Sequence, residues 1–451
     1  MKVVLINSPI YDRLEIESAG NEYLPPFGLG YLATKIQEKN WDVTILDTIQ
    51  LGLNVTQVVQ RLYEMEPDII AINIFSVNIP VVRSILESYQ SKAKFIVGGQ
   101  CTNFIYNEII KWNTNNELAV IIGEGDLIIC DVIEDVVSEP PVYESKTRKV
   151  FQVHSSSKYF PADINVLPLN RGLLNEEFVV NYYGLKERAI ITSRGCIYDC
   201  AFCGAAKSLN HNRKIRLKDK AVVLSEINDL IQVDPTVQCI RILDDLFLRS
   251  LQSIRDAIEI FSQFNVSWRA MAHIKTFENV PEELIVQMKK SGCVELFIGI
   301  ESGSDKVRKM INKLGTVDEI KNTTRKILKC GIDIKGYFIF GFPLESESDM
   351  EMSFNVATTI YRYSQNSDGN FRTSVFQFRP YHGTALFNEF VEPKLELDYQ
   401  ENHILSTLIE RRHFNIQTKN YSECDDKILY EFIFKTSNLG GKYDQGDNEL
   451  Q

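Results

Sequence analysis

Over the first 138 residues, short apolar runs alternate with stretches whose apolar positions recur every three or four residues. The runs at 3–7, 42–46, 68–75, 94–98 and 118–122 predict buried strands, and the stretches at 29–39, 55–66, 79–89, 103–112 and 127–137 predict amphipathic helices. Strands alternating with helices in this way predict a doubly wound parallel sheet. Ligands of such sheets bind beyond the carboxyl ends of the strands. The turns expected there, Ser76-Val77-Asn78, Gly98-Gly99-Gln100 and Gly123-Glu124-Gly125-Asp126, are polar or glycine-bearing and permit close backbone approach.

Periodicity weakens between 139 and 188, where Pro140, Pro141, Pro161 and Pro168 fall, and this segment reads as a linker. A second alternation then begins. Strands are expected at 189–193, 239–243, 267–272, 294–300, 334–340 and 374–379, with helices at 221–232, 251–264, 282–291, 304–311 with 317–329, and 347–363. Six βα units are fewer than the eight of a complete barrel, so residues 189–385 predict a partial (β/α)6 barrel with its site at the carboxyl ends of the strands. Residues 386–451 predict a small, mainly helical extension, with a helix at 398–413 and a frayed tail from Ser437.

Composition narrows the class. The chain has 451 residues, 44% of them apolar and 24% charged, as in ordinary globular proteins of two or three domains. No apolar run reaches the ~20 residues of a membrane span, and the first strand is interrupted by Asn7 and Pro9 too soon for a signal peptide. A cytoplasmic protein is expected. The net charge of −11 disfavours a large nucleic-acid partner. The basic stretch from His211 to Lys218 reads as a solvated loop.

Nine cysteines in such a chain do not suggest a disulfide framework. Cys101, Cys130, Cys239, Cys293, Cys330 and Cys424 are scattered and read as small buried hydrophobes. Cys196, Cys200 and Cys203 differ: they form a CxxxCxxC loop directly after the first barrel strand. Three thiolates hold a four-iron cluster and leave one iron open to a small molecule. A structural zinc site wants four ligands, and His211 is the one nearby residue that would complete it.

The CxxxCxxC spacing resembles the signature of the radical S-adenosylmethionine (SAM) superfamily, and further segments resemble its cobalamin-binding branch. Phe202 matches the aromatic residue whose backbone meets the adenine of SAM. Ile242-Leu243-Asp244-Asp245-Leu246-Phe247 resembles the second-strand motif, and Phe297-Ile298-Gly299-Ile300-Glu301-Ser302-Gly303-Ser304 the fourth-strand motif. Tyr337-Phe338-Ile339-Phe340-Gly341-Phe342-Pro343 resembles the fifth strand beside the adenine, and Phe378-Arg379-Pro380-Tyr381-His382-Gly383-Thr384 the sixth. The resemblance implies a [4Fe–4S] cluster on the three cysteines and SAM contacts at Phe202, Asp244, Glu301 and Gly341. Paired aspartates at a strand end also cap helices. Glu301 ends a very apolar strand, so it must meet a cation or hydroxyls; the amino group or ribose of SAM would serve. Where related chains carry an arginine at the end of the third strand, this one has His273, which with Asp245 is a candidate catalytic or substrate residue.

The first half resembles the branch's cobalamin-binding domain through Pro25-Pro26-Phe27-Gly28-Leu29-Gly30-Tyr31-Leu32, Val97-Gly98-Gly99-Gln100 and Gly123-Glu124-Gly125-Asp126, with Pro168 matching the linker. Gly28, Ser76, Gly98, Gly99, Gly123 and Glu124 are its candidate cobalamin contacts. All six histidines lie beyond residue 150, so a base-off cobalamin without a histidine ligand from this domain is expected.

The resemblance covers residues 1–385. It implies reductive cleavage of SAM to a 5′-deoxyadenosyl radical, an external electron donor such as flavodoxin or ferredoxin, and methylation of an unactivated carbon in a small molecule, lipid or peptide. Rearrangement, cyclisation or oxidation without methyl transfer is the alternative, and a non-catalytic metal-binding sensor is the reading from another class. A radical methylthiotransferase fits less well, because its N-terminal domain would carry three further cysteines where only Cys101 and Cys130 occur.

Overall fold

The computed structural model describes residues 1–9, 24–176, 179–211, 213–393 and 419–439. Two units emerge from its internal contacts. One comprises Met1–Phe178 with Tyr381–Gly383; the other comprises Val179–Pro380 with the described residues from Thr384 onward.

The first unit is a seven-stranded sheet of β1 (Lys2–Asn7), β2 (Asp42–Asp47), β3 (Ile69–Asn73), β4 (Lys94–Gly98), β5 (Leu118–Ile122), β6 (Tyr143–Glu144) and β7 (Arg148–Gln152). The order is β2-β1-β3-β4-β5-β7-β6, and only β6 runs antiparallel to its neighbour. Helices α1 (Phe27–Gln37), α2 (Val55–Met65), α3 (Ile79–Ser88), α4 (Thr102–Ile109) and α5 (Ile129–Ile133) cover both faces. Val4 and Ile6 pack with Val58, Ile85 and Ile105 of α2, α3 and α4, whereas Val3 and Leu5 pack with Leu29 and Val132 of α1 and α5. A strand buried on both sides reads as an unbroken apolar run, which is why these strands were legible. The strand order reverses between β1 and β3, the switch point where such sheets bind ligands.

Residues 139–188, expected as a linker, contribute two strands to this sheet instead. Val150 joins one core and Phe151 the other, while Arg148 and Lys149 break the apolar pattern that would have announced β7.

The second unit is a sheet of six parallel strands in sequential order: β8 (Glu187–Ile190), β11 (Cys239–Ile242), β12 (Ser267–Ala272), β13 (Cys293–Glu301), β14 (Asp333–Phe340) and β15 (Phe371–Gln377). Helices α6 (Lys220–Val233), α7 (Leu251–Phe261), α8 (Ile274–Phe277), α9 (Glu282–Lys290), α10 (Asp305–Met310), α11 (Val317–Lys329) and α12 (Glu347–Ser364) connect them, as a partial (β/α)6 barrel requires. The first barrel strand ends at Ile190 rather than Ser193. Ser193–Arg194, as β9, turns away to pair with Arg216–Leu217, β10.

An ion network fills the amino end of this sheet. Arg269 of β12 donates to both carboxylate oxygens of Glu187 on β8 and to Glu295 on β13, and Arg372 of β15 grips Glu295 from the other side. Both Arg269 and Glu295 are wholly buried. Unpaired, either charge would be prohibitive there.

Helix α13 (Asp426–Ser437) packs Leu429, Phe432 and Ile433 into the barrel's main core. The helix expected at 398–413 and most of the tail lie outside the described residues.

Candidate active site

The cysteine loop leaves the carboxyl end of β8, and its entry is fixed by Asp244. That carboxylate accepts hydrogen bonds from the Thr192 and Ser193 amides at 2.7 and 3.0 Å and from both their hydroxyls at 2.6 Å. Burial pushes the Asp244 carboxyl up against the pull of those four bonds. Both oxygens accept from the chain, so Asp244 holds the entry of the loop. Asp245 accepts from the Gly195 amide at 3.1 Å, where φ of +101° suits glycine.

Within the loop, the Tyr198 amide points at Cys196 Sγ (3.5 Å) and the Ala205 amide at Cys203 Sγ (3.4 Å). Such N–H groups stabilise metal-bound thiolates. Burial pushes all three thiols up, Cys203 to about 12, so three free thiolates would be unstable and a multivalent cationic group fits them. Among the described residues, no three His, Cys, Asp or Glu side chains stand as ligands of a single metal ion. The loop is anchored to the segment after α10: the Ala201 amide donates to Ile311 O (2.9 Å) and Asn312 Nδ2 to Asp199 O (2.7 Å).

That segment delivers a residue the sequence did not reveal. Lys313 Nζ lies 3.0 Å from Glu301 Oε1, with both side chains at most 9% exposed. The expected requirement that Glu301 meet a cation is therefore satisfied within the chain. Glu301 Oε2 makes no hydrogen bond among the described residues and remains open to a ligand. Burial works against the Lys313 charge, but Glu301 and the Cys200 thiol more than compensate, raising its pKa. Arg308 positions the pair by donating to Ile300 O and Ser302 O on one side and to Leu314 O and Gly315 O on the other. Its signal was faint: a cation four residues past a serine N-cap is unremarkable in sequence.

Glu301 itself adopts φ +64°, a left-handed conformation costly for a residue with a Cβ. Gly341 has φ +87° and donates its amide to Glu345 Oε2 at 2.6 Å, as does Phe342 at 3.1 Å. Glu345, also unforeseen, is wholly buried, and burial raises its pKa to about 8. Phe202 packs edge-on against Phe342 at 5.6 Å. His273 is stacked on Tyr198 with ring centroids 3.9 Å apart.

In the first unit, the six candidate cobalamin contacts all fall at the carboxyl edge of the sheet. Ser76 follows β3, Gly98 ends β4 with Gly99 beside it, Gly123 and Glu124 follow β5, and Gly28 is in the first turn of α1. A Cβ at Gly28 or Gly98 would meet nothing within 4 Å, so these backbones face open space. Gly99 has φ +139°, and a Cβ there would sit 2.2 Å from Ile74 O. A cradle of this kind fits a large flat ligand. One expectation changes: His382 belongs to this unit, its Nδ1 2.9 Å and its amide 3.0 Å from Ser76 Oγ. A histidine therefore does stand at this edge, brought from a distant part of the chain.

Of the remaining cysteines, Cys101, Cys130, Cys239 and Cys293 are buried as expected, while Cys330 and Cys424 are half-buried.

A model of the radical SAM superfamily matches residues 190–357, and a model of the B12 binding domain matches residues 18–133. The chain is a radical SAM enzyme with a B12-binding domain. Its cofactors are accordingly a [4Fe–4S] cluster, SAM and cobalamin. This radical SAM enzyme is 24% identical over 429 residues to an uncharacterized methyltransferase of Pyrococcus horikoshii, covering 92% of this chain and 89% of that one. It is 20% identical over 438 residues to an anaerobic magnesium-protoporphyrin IX monomethyl ester cyclase of Cereibacter sphaeroides, covering 91% and 67%.

Two solved structures share the fold. The radical SAM methyltransferase TsrM from Kitasatospora setae, with tryptophan and a SAM analog bound, superposes with TM-score 0.59 at 14% identity, covering 87% of this chain and 76% of that one. The cobalamin-dependent radical enzyme OxsB, with aqua-cobalamin and SAM bound, superposes with TM-score 0.53 at 16% identity over 79% of this chain. This enzyme spans about half the length of OxsB, 51%. No described helix is long and apolar enough to cross a membrane.

Proposed function

We propose that this enzyme is a cobalamin-dependent radical SAM methyltransferase acting in the cytoplasm on an unactivated carbon of a small molecule, lipid or peptide. The observation that carries this reading is one chain holding both a three-cysteine loop at a barrel strand end and a glycine-lined sheet edge matched by the B12-binding model. The methyltransferase relative spanning nearly the whole chain supports methylation as the outcome.

Cys196, Cys200 and Cys203 would hold the cluster, with Asp244 and Asp245 fixing the loop. Glu301, at the end of β13, offers Oε2 to the cationic amino group or the ribose of SAM, while Lys313 keeps its charge in place. The turn at Gly341 and the backbone at Phe202 would flank the adenine, and Gly28, Ser76, Gly98, Gly99, Gly123 and Glu124 would seat the corrin. When bound, the cluster supplies one electron and an open iron to SAM, and cobalamin supplies the methyl group. Low-potential reductant must come from outside the chain.

Incubating the anaerobically reconstituted enzyme with deuteromethyl SAM and a metabolite extract tests the reading. A labelled product that forms only with cobalamin is expected. Cleavage of SAM without label transfer would favour the second reading, radical chemistry without methyl transfer, which the cyclase relative supports.

A further inference from the structure

His273 is the first residue beyond β12, at the carboxyl end of the barrel where ligands bind. Its Nδ1 accepts the Lys275 amide at 3.2 Å, so the lone pair on that nitrogen is committed. The proton of the neutral ring must then sit on Nε2. Burial keeps the ring neutral, lowering its pKa to about 2, and the charges of Lys313, Arg308 and Lys275 act in the same direction. Stacking on Tyr198, inclined by 28°, fixes the ring plane, and Tyr198 lies two residues from both Cys196 and Cys200.

The donor so prepared has no acceptor among the described residues. Nε2 is buried without a hydrogen-bond partner there, and the residue is 4% exposed. A buried N–H left unpaired costs free energy, so native structures seldom keep one without a use. The field at the ring from Lys313, Arg308 and Lys275 is positive, which favours an anionic acceptor. The loop that carries Tyr198 also carries the three cysteines, so the ligand that the open iron would bind is the candidate acceptor, and the only anionic group of SAM is its carboxylate.

We infer that His273 Nε2–H is a hydrogen-bond donor to the carboxylate of SAM, a fixed neutral contact rather than a proton-transfer group. This rests on the radical SAM reading of the cysteine loop.

Two substitutions separate this role from helix capping. In His273→Asn the amide oxygen can still cap α8 in place of Nδ1, but the distal donor is gone. In His273→Gln the amide N–H reaches the place of Nε2. The cluster is reconstituted in the full chain, and SAM affinity is read from the change SAM induces in the EPR signal of the reduced cluster, without substrate. Native protein whose cluster signal responds to SAM establishes the underlying reading; native protein with a cluster but no response overturns that reading and the inference with it. Given a native response, SAM affinity about tenfold or more weaker in His273→Asn, recovered in His273→Gln, is expected. Unchanged affinity in His273→Asn overturns the inference, as does rescue by Asn rather than Gln. If both variants lose iron, competition of radiolabelled SAM binding by S-adenosylhomocysteine in His273→Phe decides: unchanged affinity there also overturns it.

Discussion

Glu301 Oε1 stands 3.0 Å from Lys313 Nζ across a loop that Arg308 clamps at both ends. This buried pair lies between the strand that would address SAM and the segment that anchors the cysteine loop.

Removing one partner leaves the other charge buried. Lys313→Met and Glu301→Gln should each destabilise the protein by about 3–5 kcal/mol, and the double variant by less than the sum. Urea denaturation followed by circular dichroism measures both. Additive losses would show that the two residues do not act as a pair.

The network at the opposite end of the barrel makes a contrasting case. Arg269→Met takes the guanidinium from buried Glu187 and leaves Glu295 to Arg372 alone, and should also cost about 3–5 kcal/mol. SAM affinity of the folded variant should be unchanged, because these residues sit at the amino ends of the strands. A selective loss of SAM binding would contradict that separation.

Glu345 predicts a pH dependence. Its folded pKa of about 8 lies above the unfolded value of about 4.5, so the native state binds the extra proton. Stability from this group is present below about pH 4.5 and is lost as pH rises through about 8, by roughly 1 kcal/mol per pH unit in between. Glu345→Gln, which keeps an acceptor for the Gly341 and Phe342 amides, should abolish this component of the slope. Denaturation at pH 6 and 9 in both proteins checks it; parallel curves would rule the mechanism out.

Gly99 admits no side chain, since a Cβ would collide with Ile74 O. Gly99→Ala should therefore displace the β4–α4 turn and weaken cobalamin binding at least about tenfold, at the cost of some stability. Iron content should stay unchanged. Equilibrium dialysis with hydroxocobalamin alongside an iron assay provides the readout.

The fold was largely legible because the central strands β1, β3, β4, β5 and β13 are buried along nearly their whole length and so read as apolar runs. What escaped were elements defined by pairing. β7 opens with Arg148-Lys149, and β9 is too short to carry a pattern. At the site, the cysteines and the glycine-bearing turns declared themselves by spacing. Lys313, Arg308 and Glu345 did not, because their roles arise from contacts made only after folding. Asp244 was legible only as a strand-end carboxylate, and its four hydrogen bonds to Thr192 and Ser193 appear only after folding. His382 reaches Ser76 from 306 positions away, beyond any local reading.

The central claim is a three-thiolate cluster that cleaves SAM in a chain that also uses cobalamin. Its most direct measurement is the fate of SAM in the anaerobically reconstituted, reduced protein with and without cobalamin. 5′-Deoxyadenosine should form in both cases and be lost in Cys200→Ala, and S-adenosylhomocysteine should form only with cobalamin. A native protein with its full iron and sulfide content that produces neither compound would contradict the account.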